Sequence, residues 1–409
     1  MARIVMKFGG TSVADLDRIR NVASRVAREV ARGNEVAVVV SAMAGVTNQL
    51  VGYCQALSPL HDAREYDAVV ATGEQVTSGL LAIALQGLGI DARSWAGWQI
   101  PLVTDDVHGA ARIHAIDGAA LITRMQAGQV PVVAGFQGLG PDQRITTLGR
   151  GGSDTSAVAI AAAVRADRCD IYTDVDGVYT TDPRMVPKAR KLHRIAYEEM
   201  LELASVGAKV LQTRSVELAM KERVRVQVLS SFSDSNEEIP GSLLVDEDEI
   251  VEKEMVTGIA YARDEAKVTV RRVPDRPGVA AAVFGPLSDA NVNVDMIVQN
   301  VSADGTTDMT FTITGTDLPR AIAALEAARA QIGYVELLTD KNVTKISVVG
   351  VGMRSHAGVA TTMFRTLAEK GINIQVISTS EIKVSVLIGQ DYTELAVRAL
   401  HTAYGLDAA

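Results

Sequence analysis

The hydrophobic pattern changes its period twice within the first forty residues. Residues 3–8 alternate in polarity as a β-strand does, and Gly9-Gly10-Thr11-Ser12 breaks that strand. The apolar residues that follow recur at the spacing of one helix face, up to Gly33: Val13, Leu16, Ile19, Val22, Val26 and Val30. Residues 35–40 form a valine-rich run typical of a buried parallel strand. This order predicts a βαβ unit whose ligand binds at the carboxyl ends of the strands.

Strands and helices continue to alternate as far as residue 230. We predict a helix at 75–86, after Thr72-Gly73-Glu74, and a buried strand at 130–136. The apolar run 157–164 predicts a helix that starts near Asp154, and a strand follows at 168–173. Helices at 197–204 and 208–221 and a strand at 224–230 complete the pattern. These elements predict an α/β domain with a mainly parallel sheet.

The last third of the chain contains an internal repeat with an offset of 80 residues. Pro277-Gly278-Val279 matches Ala357-Gly358-Val359, and Phe284 matches Phe364. The stretch 291–294 (Asn-Val-Asn-Val) matches 371–374 (Gly-Ile-Asn-Ile) in the same register. Each copy predicts a strand, a glycine loop, a helix, two strands and a second helix, which is a small ferredoxin-like βαββαβ unit.

The length of 409 residues calls for two or three domains. The formal net charge is −9, and the stretch 237–254 alone holds eight carboxylates and one lysine, as a solvated linker would. We therefore predict an α/β domain over 1–236 and an acidic linker over 237–254. Two repeat domains are predicted over 255–335 and 336–409, with the alternative that they are intertwined.

Composition argues against several classes of protein. No basic face for nucleic acid is visible, and Cys54 and Cys169 have neither disulfide nor metal-ligand spacing. The six histidines also lack ligand spacing, so we predict no protein metal site. The first residues are not a signal peptide, and we expect no apolar run long enough to span a bilayer. These observations predict a cytoplasmic protein that binds neither nucleic acid nor membrane.

Two glycine-rich stretches carry the candidate chemistry. Lys7 ends the first predicted strand just before Gly9-Gly10, so an ammonium group and free amides converge there, as a polyphosphate requires. The order is not that of a Walker A loop, in which the lysine follows the glycines. In the second stretch, 149–154, amides at a helix start can approach an anion, and Arg150 adds a planar fork. A solvated lysine and an ordinary glycine turn remain the alternatives for each stretch alone.

Four stretches together resemble the aspartokinases of the amino-acid kinase superfamily: Lys7 to Ser12, Glu74 after Thr72-Gly73, Gly149 to Asp154, and Thr173 to Arg184. The repeat resembles the paired ACT domains of their regulated bacterial forms, so the resemblance covers essentially the whole chain. It implies an amino-acid-kinase sandwich followed by two ferredoxin-like ACT domains. The implied reaction is phosphorylation of the L-aspartate β-carboxylate by ATP with Mg²⁺, giving 4-phospho-L-aspartate, the first step towards lysine, threonine and methionine.

The implied acceptor is a carboxylate that is already ionised at pH 7, so we expect no general base. The difficulty is to bring two anions together, which calls for fixed positive charge. The resemblance implies catalytic roles for Lys7, Lys209 and Asp154. It implies substrate binding, with Arg150 on the α-carboxylate and Glu74 on the α-ammonium group, by Ser41, Thr47, Glu74, Arg150, Gly151, Gly152 and Ser153. For the nucleotide it implies Lys7, Phe8, Gly9, Gly10, Ser41, Thr173, Asp174, Tyr179, Asp182, Arg184 and Lys209.

The resemblance also implies regulation through the repeat. Lysine and threonine are the expected effectors, at Asp275, Gly278, Val279, Asn293, Gln299 and Asn373. The two sites should differ, because Ser355-His356-Ala357 replaces Asp275-Arg276-Pro277. The implied assembly is a homo-oligomer, or a heterotetramer with a shorter regulatory chain that starts within the same gene. Met255 is a candidate for that start, and an ordinary internal methionine is the alternative.

Other functions fit parts of the sequence. A kinase for another amino acid, such as glutamate, is disfavoured by the paired ACT copies and the Arg150 loop. A catalytically silent amino-acid sensor is expected to lack Lys7 or Arg150, and both are present. A fused homoserine dehydrogenase is not expected, because the chain ends at Ala409.

Overall fold

The computed structural model describes residues 1–100, 102–208, 210–233, 240–250, 254–302, 304–356 and 358–407. The chain divides into two compact units. The first unit comprises Met1–Val178, Lys191–Ala204 and Lys209–Val251. The second unit comprises Tyr179–Arg190, Ser205–Ala208 and Glu252–Ala409.

As far as residue 250, the described chain forms eight α-helices and fourteen strands. The helices are α1 (Leu16–Ala31), α2 (Val46–Leu57), α3 (Ala63–Val70), α4 (Thr72–Gly87), α5 (Ala119–Gln126), α6 (Gly152–Ala163), α7 (Tyr197–Ser205) and α8 (Thr213–Glu222). The strands are β1 (Arg3–Phe8), β2 (Glu35–Val40), β3 (Ala92–Trp95), β4 (Leu102–Thr104), β5 (Ile113–Ile116), β6 (Val130–Ala134), β7 (Gln137–Leu139), β8 (Ile145–Thr147), β9 (Arg168–Thr173), β10 (Val178–Tyr179), β11 (Lys191–Leu192), β12 (Arg194–Ala196), β13 (Val226–Ser230) and β14 (Ser242–Val245).

An eight-stranded sheet organises the first unit, in the order β12-β14-β13-β9-β1-β2-β6-β3. All neighbouring strands are parallel except β13 and β14. The central strands β1 and β2 are buried along almost their whole length. Burial on both faces is expected for the valine-rich run of β2, whereas the alternating pattern of residues 3–8 did not predict it for β1. The predicted mainly parallel sheet is confirmed, and its central strands end side by side, with Lys7 opposite Val39 and Ile171.

Several elements differ from the prediction. The helix expected over 208–221 begins at Thr213, because Gln212 is extended, with φ −84° and ψ 136°. The loop after β2 is short, since α2 begins at Val46. A second sheet, in the order β5-β4-β7-β8, is built from strands of three or four residues. Strands that short carry too few positions to show a period.

The structure of the first unit bears on the predicted acidic linker and on the expected lack of a membrane-spanning segment. Within the stretch 237–254, Ser242–Val245 form a strand of the large sheet, with Leu244 and Val245 fully buried. The expectation that no segment is long enough to cross a membrane is wrong by length and composition, because Ala63–Gly87 passes that test. Half of its apolar window is buried in the protein, as in the core helix of a soluble protein.

The second unit contains the repeat. Its elements are β15 (Gly258–Pro274), α9 (Val279–Asp289), β16 (Asp295–Val301), β17 (Thr306–Ile313), α10 (Leu318–Ala327), α11 (Arg329–Ile332), β18 (Glu336–Val349), α12 (Val359–Glu369), β19 (Ile374–Thr379), β20 (Lys383–Gly389) and α13 (Thr393–Ala403). One six-stranded sheet runs β16-β17-β15-β18-β20-β19. The long antiparallel strands β15 and β18 pair from Gly258 with Val349 to Arg271 with Glu336, so both repeats share them.

The offset of 80 residues is preserved in the structure. Helices α9 and α12 start 80 residues apart, each after a left-handed glycine, Gly278 at φ 91° and Gly358 at φ 106°. Each repeat has its own apolar core, and the second core also takes in Met185, Val186 and Ala189. The segment Tyr179–Arg190 therefore packs with the second repeat, where Thr180 Oγ1 lies 2.8 Å from Nε2 of the buried His401.

Candidate active site

A cavity of about 330 Å³ opens at the carboxyl ends of β1 and β2 and at the start of α6. Most of the predicted substrate and catalytic residues line it, although they come from four separate stretches of the chain. Its lining consists of Lys7, Gly10, Ser41, Ala42, Met43, Ala44, Gly45, Thr47, Glu74, Phe136, Gly149, Arg150, Gly151, Gly152, Ser153 and Asp154. A concave site at strand ends is where ligands of open α/β sheets bind.

Lys7 and Asp154 form a buried ion pair in this cavity, with Lys7 Nζ 2.5 Å from Asp154 Oδ1. Their side chains are only 9% and 12% exposed, so neither group is free to swing into solvent. Lys7 is the second-to-last residue of β1, and Asp154 lies in the first turn of α6. The ion pair with Asp154 therefore holds the ammonium group in the cavity, which is the preorganisation that charge stabilisation in a transition state requires.

Glu74 brings a buried carboxylate with one unsatisfied oxygen. The residue is 3% exposed, its Oε1 accepts the Ala42 N–H at 3.0 Å, and its Oε2 has no hydrogen-bond partner within the described chain. Burial raises the pKa of Glu74 to about 7, and the Ala42 amide only partly opposes that rise. A carboxylate in this state lacks a positively charged partner, and an ammonium group would supply it.

Arg150 differs from Glu74, because its side chain is exposed and makes no hydrogen bond or ion pair to any residue that the structure describes. The next residue, Gly151, has φ 72° and caps α6 without a side-chain hydrogen bond. A Cβ at Gly151 would lie 2.0 Å from the Gln212 side chain, so only glycine fits. The loop thus presents a free guanidinium beside the amides of a helix N-terminus.

Asp67 anchors the strand that leads into this loop, and the sequence does not single it out. Its fully buried carboxylate accepts the backbone N–H and the hydroxyl of Thr147, at 3.0 and 2.5 Å. The same carboxylate contacts Nδ1 of His108 at 2.7 Å and the N–H of Gly109. Asp67 therefore joins α3, the 105–112 loop and β8, and only the folded contacts reveal that role.

Phe136, a further part of the lining, also escapes sequence reasoning. Phe136 lies just after β6 with φ 70°, and its N–H donates to Ser156 Oγ of α6 at 3.0 Å. The turn 43–45 reaches the cavity through Gly45, which has φ 81° and precedes α2. A positive φ at a phenylalanine has no local sequence signal, since the surrounding fold imposes it.

The predicted nucleotide residues are more scattered. Phe8 is fully buried and stacks on Tyr172, so only its backbone is available to a ligand. Thr173 and Asp174 belong to the first unit, whereas Tyr179, Asp182 and Arg184 belong to the second. The Arg184 side chain lowers the pKa of Asp182, which also accepts the Tyr261 hydroxyl at 3.3 Å. Lys209 lies outside the described residues.

Five of the six predicted effector residues lie in the first repeat. Asp275 and Gly278 lie between β15 and α9, and both are exposed. Asn293 is exposed in the loop before β16, two residues ahead of Asp295, where that strand begins. Val279 is buried in the repeat core, Gln299 is exposed on the outer strand β16, and Asn373 is exposed in the equivalent turn of the second repeat.

Among the described residues, no group of three or more side chains could hold a metal ion.

Comparison with known proteins places the chain. The model of the amino acid kinase family matches residues 2–230, and two ACT domain models match residues 268–330 and 346–404. An aspartokinase of Pseudomonas aeruginosa is 56% identical over 410 residues, which cover 100% of this chain and 98% of that protein. The chain belongs to the aspartokinase family. It is therefore an enzyme, an aspartate kinase, and the predicted kinase fold with two ACT domains is confirmed.

Solved aspartokinase structures resemble the whole chain. Aspartokinase III of E. coli, crystallised in complex with aspartate and ADP, is 27% identical with a TM-score of 0.81. The match covers 98% of this chain and 99% of that one. The same E. coli enzyme in complex with lysine and aspartate has a TM-score of 0.75, with 98% of each chain covered. The match to the amino acid kinase family, over residues 2–230, covers every stretch that lines the cavity.

Proposed function

We propose that the chain transfers the γ-phosphoryl group of ATP to the β-carboxylate of L-aspartate, giving 4-phospho-L-aspartate. The observation that carries this proposal is one cavity with two groups of opposite charge that have no partner among the described residues, the Oε2 atom of Glu74 and the guanidinium of Arg150. An α-amino acid carries the matching ammonium and carboxylate. The E. coli relative that binds aspartate and ADP supports the same choice of substrates.

In this proposal the substrate is oriented by its α-groups, and its β-carboxylate attacks. Arg150 takes the α-carboxylate through its bidentate fork, Glu74 takes the α-ammonium group, and the hydroxyls of Ser41, Thr47 and Ser153 complete the contacts. Lys7, fixed by Asp154, opposes the charge that develops on the transferring phosphoryl group. The nucleophile is already ionised, so no residue needs to act as a general base.

The remaining nucleotide contacts are proposed from the family resemblance. Lys209, the amides of Gly9 and Gly10, and the segment Thr173–Arg184 would bind the nucleotide. A Cβ at Gly10 would lie only 3.1 Å from the Ala42 carbonyl oxygen. Because glycine has no Cβ, it avoids this close contact and leaves the backbone of the turn accessible to a ligand. Mg²⁺ would neutralise phosphate charge, and it would arrive with ATP, because the described residues offer no ready cage of ligands.

The proposed function is tested by the shape of the Arg150 contact. Arg150→Lys keeps the charge but loses the fork, so the KM for aspartate should rise while the KM for ATP changes little. Initial rates in a coupled assay, with aspartate, glutamate and other amino acids as acceptors, measure both constants and the substrate choice. A rise in the KM for ATP instead would place Arg150 on the nucleotide, and faster turnover with glutamate would favour the rival kinase.

We also propose that the second unit binds lysine and threonine as feedback effectors. The E. coli relative crystallised with lysine supports lysine as one of them. The domain limits of 1–236, 237–254, 255–335 and 336–409 remain proposals, as does assembly into a homo-oligomer or a heterotetramer with a chain starting at Met255. Met255 precedes β15 by only a few residues, so such a product would contain both repeats. A cytoplasmic location is proposed, in keeping with two free cysteines.

A further inference from the structure

Arg214 lies beneath the loop that carries Arg150. It occupies the first turn of α8, and its guanidinium donates in two directions at once. Nη1 donates to the carbonyl oxygen of Leu148 at 2.8 Å, and Nη2 donates to that of Ala111 at 2.6 Å. Leu148 is buried and stands two residues before Arg150 in the chain. Arg214 therefore binds the backbone from which the Arg150 loop departs.

No carboxylate of the described chain forms an ion pair with Arg214, although the residue is half-buried. Burial, with the nearby positive charge of Arg112, lowers the pKa of Arg214. Its hydrogen bonds in the described chain go instead to two backbone carbonyls, and bonds from a charged donor are stronger than those from a neutral one. The planar fork is needed because the two acceptors lie on different segments, and a lysine ammonium cannot reproduce that geometry.

The neighbours of Arg214 support the same loop. Gln212, two residues earlier, packs directly under Gly151, where a Cβ would lie 2.0 Å from the Gln212 side chain. Ala111, the second acceptor of Arg214, donates its N–H to the Thr147 carbonyl at 2.9 Å. Residues 212–214 thus support the loop from one side, and Asp67 binds Thr147 on the other side.

We propose that Arg214 is a positioning residue for Arg150 and thereby sets the affinity for the amino-acid substrate. Arg150 has no partner of its own among the described residues, so the direction of its side chain depends on the backbone that Arg214 holds. This inference rests on the proposed role of Arg150 in binding the α-carboxylate. It adds that the arrangement is fixed from α8, a helix that does not line the cavity.

The first test is Arg214→Lys, which keeps the charge and removes the bridge between two carbonyls. The KM for aspartate should rise about tenfold, the scale of losing one charge-assisted hydrogen bond. The kcat and the KM for ATP should stay within about twofold, since a lost positioning contact acts on one substrate. Arg225→Lys is the matched control, because Arg225 is an exposed arginine paired with Glu249 outside the cavity, and it should change none of these constants.

A double-mutant cycle separates positioning from a general loss of structure. If Arg214 acts through Arg150, Arg214→Lys in the Arg150→Lys background should raise the KM for aspartate by less than about twofold. Additive effects would overturn the inference, as would an unchanged KM for aspartate in Arg214→Lys. A joint rise of both KM values with a fall in Tm would also overturn it, by assigning Arg214 a purely structural role. If Arg150→Lys alone leaves the KM for aspartate unchanged, the proposed function fails instead.

Discussion

Replacing Glu74 by glutamine should stabilise the substrate-free protein, and by an amount that grows with pH. Glu74 is buried with one unpaired oxygen, and burial raises its pKa from 4.5 to about 7. The folded protein therefore holds this proton more tightly than the unfolded chain does. Ionisation of Glu74 costs stability, beginning near pH 4.5 and reaching its full value above pH 7, so stability falls as pH rises through that window.

The size of the effect follows from linkage between the two pKa values. A rise of the pKa from 4.5 to about 7 corresponds to roughly 3 kcal/mol, and most of this loss of stability falls between pH 5 and pH 8. Glutamine does not titrate, so the variant escapes this loss. Any constant cost of burying the amide is the same at both pH values and cancels in the comparison. For a unit of this size, a loss of about 2–3 kcal/mol corresponds to a difference in Tm of roughly 5–10 °C.

The assay is urea unfolding of wild type and Glu74→Gln at pH 5 and pH 8, with Glu65→Gln as a control for an exposed glutamate on α3. The advantage of Glu74→Gln should be larger at pH 8, whereas the Glu65 variant should follow wild type. Saturating aspartate should stabilise wild type and reduce the difference, because its ammonium group pairs with the ionised carboxylate. Parallel pH dependences for wild type and Glu74→Gln would refute the argument that Glu74 is buried without a cationic partner.

Two other residues give sharp predictions. Lys7→Ala should lower kcat by roughly a hundredfold or more, the scale of losing one fixed electrostatic contact; a near-normal kcat in rate measurements would remove Lys7 from the chemistry. Asn293→Ala should raise the inhibitory concentration of lysine plus threonine about tenfold, for about 1.4 kcal/mol of lost binding. Its uninhibited kcat and KM values should match wild type, because Asn293 lies in the second unit. Unchanged inhibition with an unchanged Tm would exclude Asn293 from the effector site.

Local pattern was enough to predict the elements that place the first half of the site. The alternating run 3–8 and the valine-rich run 35–40 define β1 and β2, and the rule that parallel strands end together places Lys7 near the loop after β2. The repeat was equally readable, since α9 and α12 begin at the same offset as in the sequence. These features depend on residues that are close in the chain or related by a fixed period.

The residues that the sequence did not reveal depend on contacts between distant segments. Asp67 is an ordinary acidic residue on α3 until Thr147, 80 positions later, donates to it. Arg214 is one of many helix arginines until Leu148 and Ala111 accept from it. Neither residue has a motif, because its partners are backbone groups that any residue type supplies. Sequence reasoning could therefore find the loop that carries Arg150, but not the side chains that hold it.

The cavity contains one ion pair that forms without a ligand and two charged groups that have no charged partner among the described residues. Lys7 is already bound by Asp154, so its direction is fixed before any ligand arrives. Glu74 and Arg150 have no charged partner among the described residues, and the burial of Glu74 makes that state costly. An amino acid that supplies both opposite charges removes this cost, whereas a ligand with only one of them leaves the other group unpaired. The site should therefore discriminate strongly in favour of intact α-amino acids, because the penalty for an incomplete ligand is built into the empty protein.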